Sequence, residues 1–149
     1  MIKCKDLMTK NLILCNQSTP VYLLAMIMQA ENIGFIPVLR GDRASEIVGV
    51  VTDRDITIRM VSESLDSEYC LASRIMSKNV ISVNESDAIR VAMAKMMEFR
   101  IKRIVVLNRQ HAITGVLTTG DIANCRLFRK RTGQLMKEIS RRNVSTTVA

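Results

Sequence analysis

Twice in 149 residues a threonine and an aspartate stand three apart at the end of an apolar run. Thr52–Asp53–Arg54–Asp55 follows Gly49–Val50–Val51, and Thr118–Thr119–Gly120–Asp121 follows Gly115–Val116–Leu117. If a helix opens at that point, the aspartate lies in its first turn, where the helix dipole favours an anion. A carboxylate there can accept charge-assisted hydrogen bonds from a vicinal diol such as that of a ribose. The threonine hydroxyl, at the end of the strand, can donate to a phosphate or ribose oxygen. The same spacing also describes a plain helix start, with the aspartate as N-cap and the threonine as a strand residue. Taken one copy at a time, the local pattern leaves both uses open.

Other chemistry is poorly supplied. The four cysteines, at 4, 15, 70 and 125, form no C-x-x-C pair, and the single histidine, His111, is remote from them in sequence. Zinc-type spacing is therefore absent, and the thiols read as reduced residues of core or surface. His111 has no evident serine or cysteine partner, and no glycine-rich phosphate loop of the P-loop type occurs. Asp53 pairs with Asp55 but reads as a helix cap. With no catalytic constellation and no metal site, the chain does not read as an enzyme.

The elements that position the two Thr-x-x-Asp patterns are themselves repeated. Asp6–Leu7–Met8–Thr9–Lys10–Asn11 returns as Arg74–Ile75–Met76–Ser77–Lys78–Asn79, an offset of 68 residues that also matches Asn16 with Asn84, Met28 with Met96 and Val38 with Val106. Gly49 matches Gly115 at an offset of 66, so the first copy has two extra residues in the polar stretch 40–46, where a hairpin turn tolerates them. A period this long marks two copies of one folding unit. Each copy reads as strand, helix, strand, strand, helix. Strands are expected over Asn11–Cys15 and Val80–Val83, then over Ile36–Leu39 and Ile47–Val51, and over Ile104–Leu107 and Ile113–Leu117. Thr19 is expected to cap the first helix, with Pro20 at its first position, and Ser86 or Asp87 to cap its counterpart. Asp53, and Gly120 or Asp121, are expected to open the last helix of each copy. The Met and Leu stripes read as core.

The chain is 48% hydrophobic with five aromatic residues and ten methionines, so its core is aliphatic and Met-filled. No apolar run approaches the roughly 18 residues that cross a bilayer, and the N-terminus lacks a hydrophobic signal region. A cytoplasmic protein without a membrane partner is expected. The net charge of +8 is uneven: Arg126, Arg129, Lys130, Arg131, Lys137, Arg141 and Arg142 face only Asp121 and Glu138 after position 120.

The repeated Asp-Leu-Met-Thr-Lys-Asn, the run Ile36–Pro37–Val38 and Gly-Val-Val-Thr-Asp-Arg-Asp-Ile together resemble the cystathionine β-synthase (CBS) domain, and two in tandem resemble a Bateman module. The resemblance covers about residues 3 to 130. It implies an α+β fold in which two β-α-β-β-α CBS repeats pack sheet to sheet with pseudo-twofold symmetry. It divides the chain into repeat 1 (1–62), a linker (63–72), repeat 2 (73–131) and a basic C-terminal helix with a frayed tail (132–149). It implies a regulatory module that binds AMP, ADP, ATP or S-adenosylmethionine between its repeats, forms homodimers, and acts in trans on an unknown regulated protein.

The resemblance also assigns residues. Asp121 and Thr118 would hold the ribose or phosphate of one ligand, and Asp55 and Thr52 those of another. The positions that often face nucleotide phosphates in the family fall here on Lys102 and Arg103, before Val105, which replaces the usual proline. On a strand these two would point to opposite faces unless the strand starts just after them. The equivalents in repeat 1 are Gly34 and Phe35, which carry no charge; Arg54 could supply one, but Gly120 takes its place in repeat 2. By the same analogy Thr19 would line the Asp121 cleft. The Asp121 cleft is thus expected to have the better phosphate complement.

A second function class rests on the segment from Arg126 to Arg142. As a helix it combines an apolar stripe (Leu135, Met136, Ile139) with basic faces. Such a surface suits nucleic acid, which needs little more than positive charge for non-specific binding, or it is a dimer-packing helix with a basic polar face.

Overall fold

The computed structural model describes residues 1–41 and 46–141. Most of the extra turn of repeat 1, Arg142 and the expected frayed tail lie outside the described residues. Repeat 1 contains a one-turn helix α1 (Cys4–Leu7), strand β1 (Cys15–Asn16), helix α2 (Val21–Glu31), strands β2 (Phe35–Leu39) and β3 (Ile47–Thr52), and α3 (Asp53–Asp55), which runs on as a π-helical segment, Ile56–Val61. Repeat 2 contains α4 (Ala72–Ile75), β4 (Ser82–Asn84), α5 (Ile89–Phe99), β5 (Arg103–Leu107), β6 (Ile113–Thr118) and α6 (Thr119–Asn124), and is followed by α7 (Arg129–Ser140). The expected strand-helix-strand-strand-helix order holds in each, as an α+β arrangement with two three-stranded sheets, β1-β2-β3 and β4-β5-β6. β1 runs parallel to β2 with Cys15 opposite Val38, and β2 runs antiparallel to β3 with Phe35 opposite Thr52. The parallel pair needs a crossover, which α2 supplies.

The first strand of each copy is shorter and later than Asn11–Cys15 and Val80–Val83, because each closes in a tight turn. Thr19 Oγ1 accepts the Asn16 N–H at 3.1 Å, and Asp87 Oδ2 accepts the Asn84 N–H at 2.8 Å. These turn bonds correct the expected caps. Pro20 and Ala88 are the N-cap residues, in extended backbone and with no side-chain cap. The helix-start N–H groups are satisfied by other main chain instead: Val21 N–H donates to Cys70 O at 2.8 Å, and Ile89 N–H to Ile2 O at 3.2 Å.

The chain divides into two compact units that do not follow its order. One comprises Met1–Lys10, Ile81–Val106 and Gly115–Ala149; the other comprises Asn11–Val80 and Leu107–Thr114. The opening segment of each repeat therefore belongs with the later elements of the other. In the first-named unit Cys4 is fully buried with Ile89, Met96, Ile104 and Leu117, and Leu7 and Met8 pack against them. In the second, Ala72, Ile75 and Met76 join Leu24, Ile36 and Val51. The repeated Met and the repeated Gly are halves of one contact. A Cβ at Gly49 would lie 2.6 Å from Met76 Sδ, and one at Gly115 would collide with Met8 Sδ. Main-chain bridges join Thr9 to Val116 and Ser77 to Val50 at the same places.

α7 is part of the unit that contains repeat 2's sheet. Its stripe residues Leu135 and Ile139 are buried in that core, Phe128 packs against it, and Thr132 Oγ1 donates to Phe128 O at 3.1 Å. Of the expected stripe, Leu135 and Ile139 are used within the unit and Met136 is half-buried.

Candidate functional site

The Thr-x-x-Asp pattern is a closed capping box in both copies. Thr118, in extended backbone, is the N-cap of α6. Its Oγ1 accepts the Asp121 N–H at 3.1 Å, while Asp121 Oδ2 accepts the Thr118 N–H and the Thr118 hydroxyl, each at 2.8 Å. Thr52 and Asp55 repeat this with 3.1, 2.9 and 2.8 Å. The cap is thus the threonine, not Asp53, Gly120 or Asp121. Its hydroxyl proton goes to its own aspartate, so Thr118 and Thr52 aim the carboxylate and do not themselves present a donor in this arrangement.

The second carboxylate oxygen separates the copies. Asp55, 6% exposed, receives Ser77 Oγ at 3.5 Å and Arg59 Nη1 at 3.5 Å on its Oδ1. The same Arg59 nitrogen donates to Ile75 O at 2.8 Å. Asp121 is half-buried, and among the described residues no protein group bonds its Oδ1. Cys125 stands where repeat 1 has Arg59. The Asp55–Arg59 pairing has the i, i+4 acid–base spacing of a helix pair, a signal carried by the sequence outside the repeated motifs.

The cations of repeat 2 lie at the adjoining strand start. Lys102 O accepts the Thr119 N–H at 3.0 Å, which ties the entry to β5 to the first turn of α6. Lys102 is exposed and precedes the strand; Arg103 is its first residue and half-buried. The strand thus begins between the two and not after both. Neither has a carboxylate within ion-pair distance among the described residues. In repeat 1, Gly34 O accepts the Asp53 N–H at 3.3 Å in the same way. A Cβ on Gly34 would stand 2.7 Å from Asp53 Oδ2, so this carboxylate occupies the space where a side chain at 34 would begin. Arg54 is exposed, and its main-chain N–H donates to Asp53 Oδ1 at 2.8 Å. Thr19 belongs to the unit containing Asp55, where its hydroxyl oxygen serves the Asn16 turn.

Nothing else described resembles a reactive centre. Burial pushes the Cys15 thiol up to about 11, and burial, with the Asp87 carboxylate, does the same for Cys4. Such thiols stay protonated and unreactive at neutral pH. No group of three His, Cys, Asp or Glu side chains among the described residues could hold a metal. A groove of about 210 Å³ between α5 and α7, lined by Arg90, Met93, Met97, Arg131, Gln134 and Leu135, involves none of the candidate residues. α7 presents Arg129, Lys130, Arg131 and Lys137 on its exposed face. No described helix is long and apolar enough to cross a membrane.

Two copies of one α+β unit, each ending in a boxed aspartate at a strand-to-helix junction, define a tandem-repeat module. The CBS domain profile matches residues 4–62 and 72–127, and the chain belongs to the CBS domain family as a tandem pair. It is 31% identical to the uncharacterized protein YlbB of Bacillus subtilis over 94% of this chain and 93% of that one. Among solved structures it is similar to the CBS domain protein PAE2072 from Pyrobaculum aerophilum complexed with AMP, at 25% identity and a TM-score of 0.79, covering 89% of this chain and 99% of that one. It is also similar to the CBS domain pair of protein MJ0100 in complex with 5′-methylthioadenosine and S-adenosyl-L-methionine, at 25% identity and a TM-score of 0.73, covering 85% and 99%.

Proposed function

We propose that this CBS pair is a regulatory module that binds an adenine nucleotide or adenosyl ligand and passes the resulting change to a partner protein. The observation that carries the reading is the Asp121 carboxylate. The capping box holds it through Oδ2, and among the described residues Oδ1 has no protein partner; the Thr119 N–H bond to Lys102 O ties its helix to the strand start that carries Lys102 and Arg103, which have no carboxylate within ion-pair distance among the described residues. An oxygen with that freedom can accept a ribose hydroxyl, while Lys102 and Arg103 complement a 5′-phosphate. Thr118 keeps the carboxylate aimed. Complexes of PAE2072 with AMP and of MJ0100 with adenosyl compounds support the ligand class. A ligand changes output only if its affinity differs between two states of the module.

The test is calorimetric titration of AMP, ADP, ATP and S-adenosylmethionine into the protein and into Asp121→Asn, which keeps a capping oxygen but loses the charge. AMP binding is expected to weaken by about tenfold or more, the worth of a charge-assisted bond. Equal binding by the substituted protein would remove Asp121 from the site, and no binding of any of the four would remove the reading.

A further inference from the structure

The groove between α5 and α7 takes no part in the proposed ligand site and has the chemistry of a docking surface. Its volume is about 210 Å³. Met93 and Leu135, both buried, and the half-buried Met97 form its apolar floor. Exposed Arg90 borders it from α5, and exposed Arg131 and Gln134 border it from α7. Neither arginine forms an ion pair among the described residues. α7 begins at Arg129, beyond the second CBS match, which ends at residue 127. The wall it supplies is therefore this chain's own addition to the repeat. Repeat 1 has nothing equivalent: Tyr22 stands at the position of Arg90, and the stretch after its last helix carries Glu63, Asp66 and Glu68 where α7 carries cations.

Size, softness and charge specify the occupant. Pockets that enclose a whole small ligand span roughly 300–1,000 Å³, so this smaller groove suits an anchoring side chain of a larger partner. Methionine side chains adapt to the shape of such an anchor and make favourable contacts with aromatic rings. The first turn of α7 holds Arg129, Lys130 and Arg131, with no acidic residue and no side-chain cap. Cations at that end oppose the helix dipole, so carboxylates brought by another molecule relieve α7 as well as pairing the groove's arginines. A second copy docking through the same face in a twofold contact would set Arg90 and Arg131 against themselves. Single-stranded nucleic acid stacks its bases on aromatic side chains, and none lines the groove.

We infer that the α5–α7 groove docks an acidic amphipathic helix of the regulated partner protein. That helix lies along α5 and α7 as a third, buries an apolar side chain against Met93, Met97 and Leu135, and sets carboxylates against Arg90 and Arg131. Gln134 can give or accept one further hydrogen bond on the same border. This deepens the regulatory reading, on which it rests for the existence of a regulated partner, by naming the surface that reaches it.

The experiment selects peptides of about 16 residues, long enough for four helical turns, from a random displayed library on the full chain. Enriched peptides are labelled and titrated by fluorescence anisotropy into the unsubstituted protein, into Arg90→Gln with Arg131→Gln, and into Lys130→Gln with Lys137→Gln. The second pair removes the same charge from exposed positions that do not line the groove. The enriched peptides are expected to carry acidic residues flanking apolar ones at helical spacing. The groove pair should weaken them about five- to tenfold, and the control pair by less than about twofold. Arg90→Glu with Arg131→Glu should instead favour versions whose acidic residues are changed to lysine. The inference is overturned by the absence of any enriched peptide, by enriched peptides without acidic residues, or by equal weakening in both pairs. It is also overturned if a short DNA duplex, or self-association seen by sedimentation, is what the groove pair abolishes, since the occupant is then nucleic acid or a second copy. AMP titration stays independent, because neither Asp121 nor Lys102 nor Arg103 lines the groove. AMP binding without peptide binding removes this inference alone; peptide binding without any adenosyl ligand removes the regulatory reading and leaves a docking groove.

Discussion

At the scale of single residues, the same four-residue box does different work according to one neighbour. Arg59 and Ser77 take the second oxygen of Asp55, whereas Cys125 leaves that of Asp121 without such a partner. Removing Arg59 strips a nearly buried carboxylate of its cation and Ile75 of a hydrogen bond. Because Arg59 is itself 40% exposed, Arg59→Ala is expected to destabilise by about 1–2 kcal/mol, well short of a fully buried pair, as measured by urea unfolding. The buried thiols give a pH dependence. Cys4 and Cys15 keep their protons to about 11 against an ordinary 9.0. From about pH 9 the unfolded chain releases these protons and the folded chain does not, so their contribution is intact below 9 and is lost as the pH rises through 11. Cys4→Ala with Cys15→Val, which install the residues found at the matching positions 72 and 83, should flatten that part of a stability-against-pH curve relative to the unsubstituted protein. The aspartates and threonines were legible from their spacing and recurrence. The Asp53–Gly34 contact was not, because it spans 19 positions and no local pattern reports it.

At the scale of elements, periodicity located β2, β3, β5, β6, α2 and α5, but it misjudged the first strand of each copy and the helix caps and gave no sign of the one-turn helices α1 and α4. Thr19 and Asp87 have cap chemistry, yet their oxygens close a turn on Asn16 and Asn84, and the helix-start amides find carbonyls of distant segments. Residue type announces that a side chain can accept an N–H, not which N–H it accepts. α7 was read as a helix with a basic face, and the burial of Leu135 and Ile139 explains why it holds its place. Gly133 lies on its exposed side, and a Cβ there would meet nothing within 4 Å. Gly133→Ala should therefore raise stability by about 0.5–1 kcal/mol through helix propensity. Gly115→Ala, by contrast, drives a methyl into Met8 and to 3.0 Å from Thr9 O, and should cost about 1–3 kcal/mol. Thermal unfolding of the two variants checks the opposite signs.

At the scale of the whole molecule, each compact unit takes its opening segment from the other repeat. Hydrophobic pattern shows that Leu7 and Met8 have a face to bury; it does not say against which sheet, since both sheets carry the same motif. Deleting residues 1–10 uncovers Met96, Ile104 and Leu117 while leaving the core around Leu24 and Ile36 complete. Amide exchange should then accelerate across α5 and β6 and stay slow in α2.

The Met8–Gly115 and Met76–Gly49 contacts have a consequence for how such a protein can exist at all. A lone copy would own a lid that fits someone else and an opening that its own lid does not cover. Two lone copies could close each other, but at a rate set by their meeting in solution. Joining them in one chain keeps each lid tethered near its opening, at an effective concentration on the order of millimolar, however dilute the protein becomes.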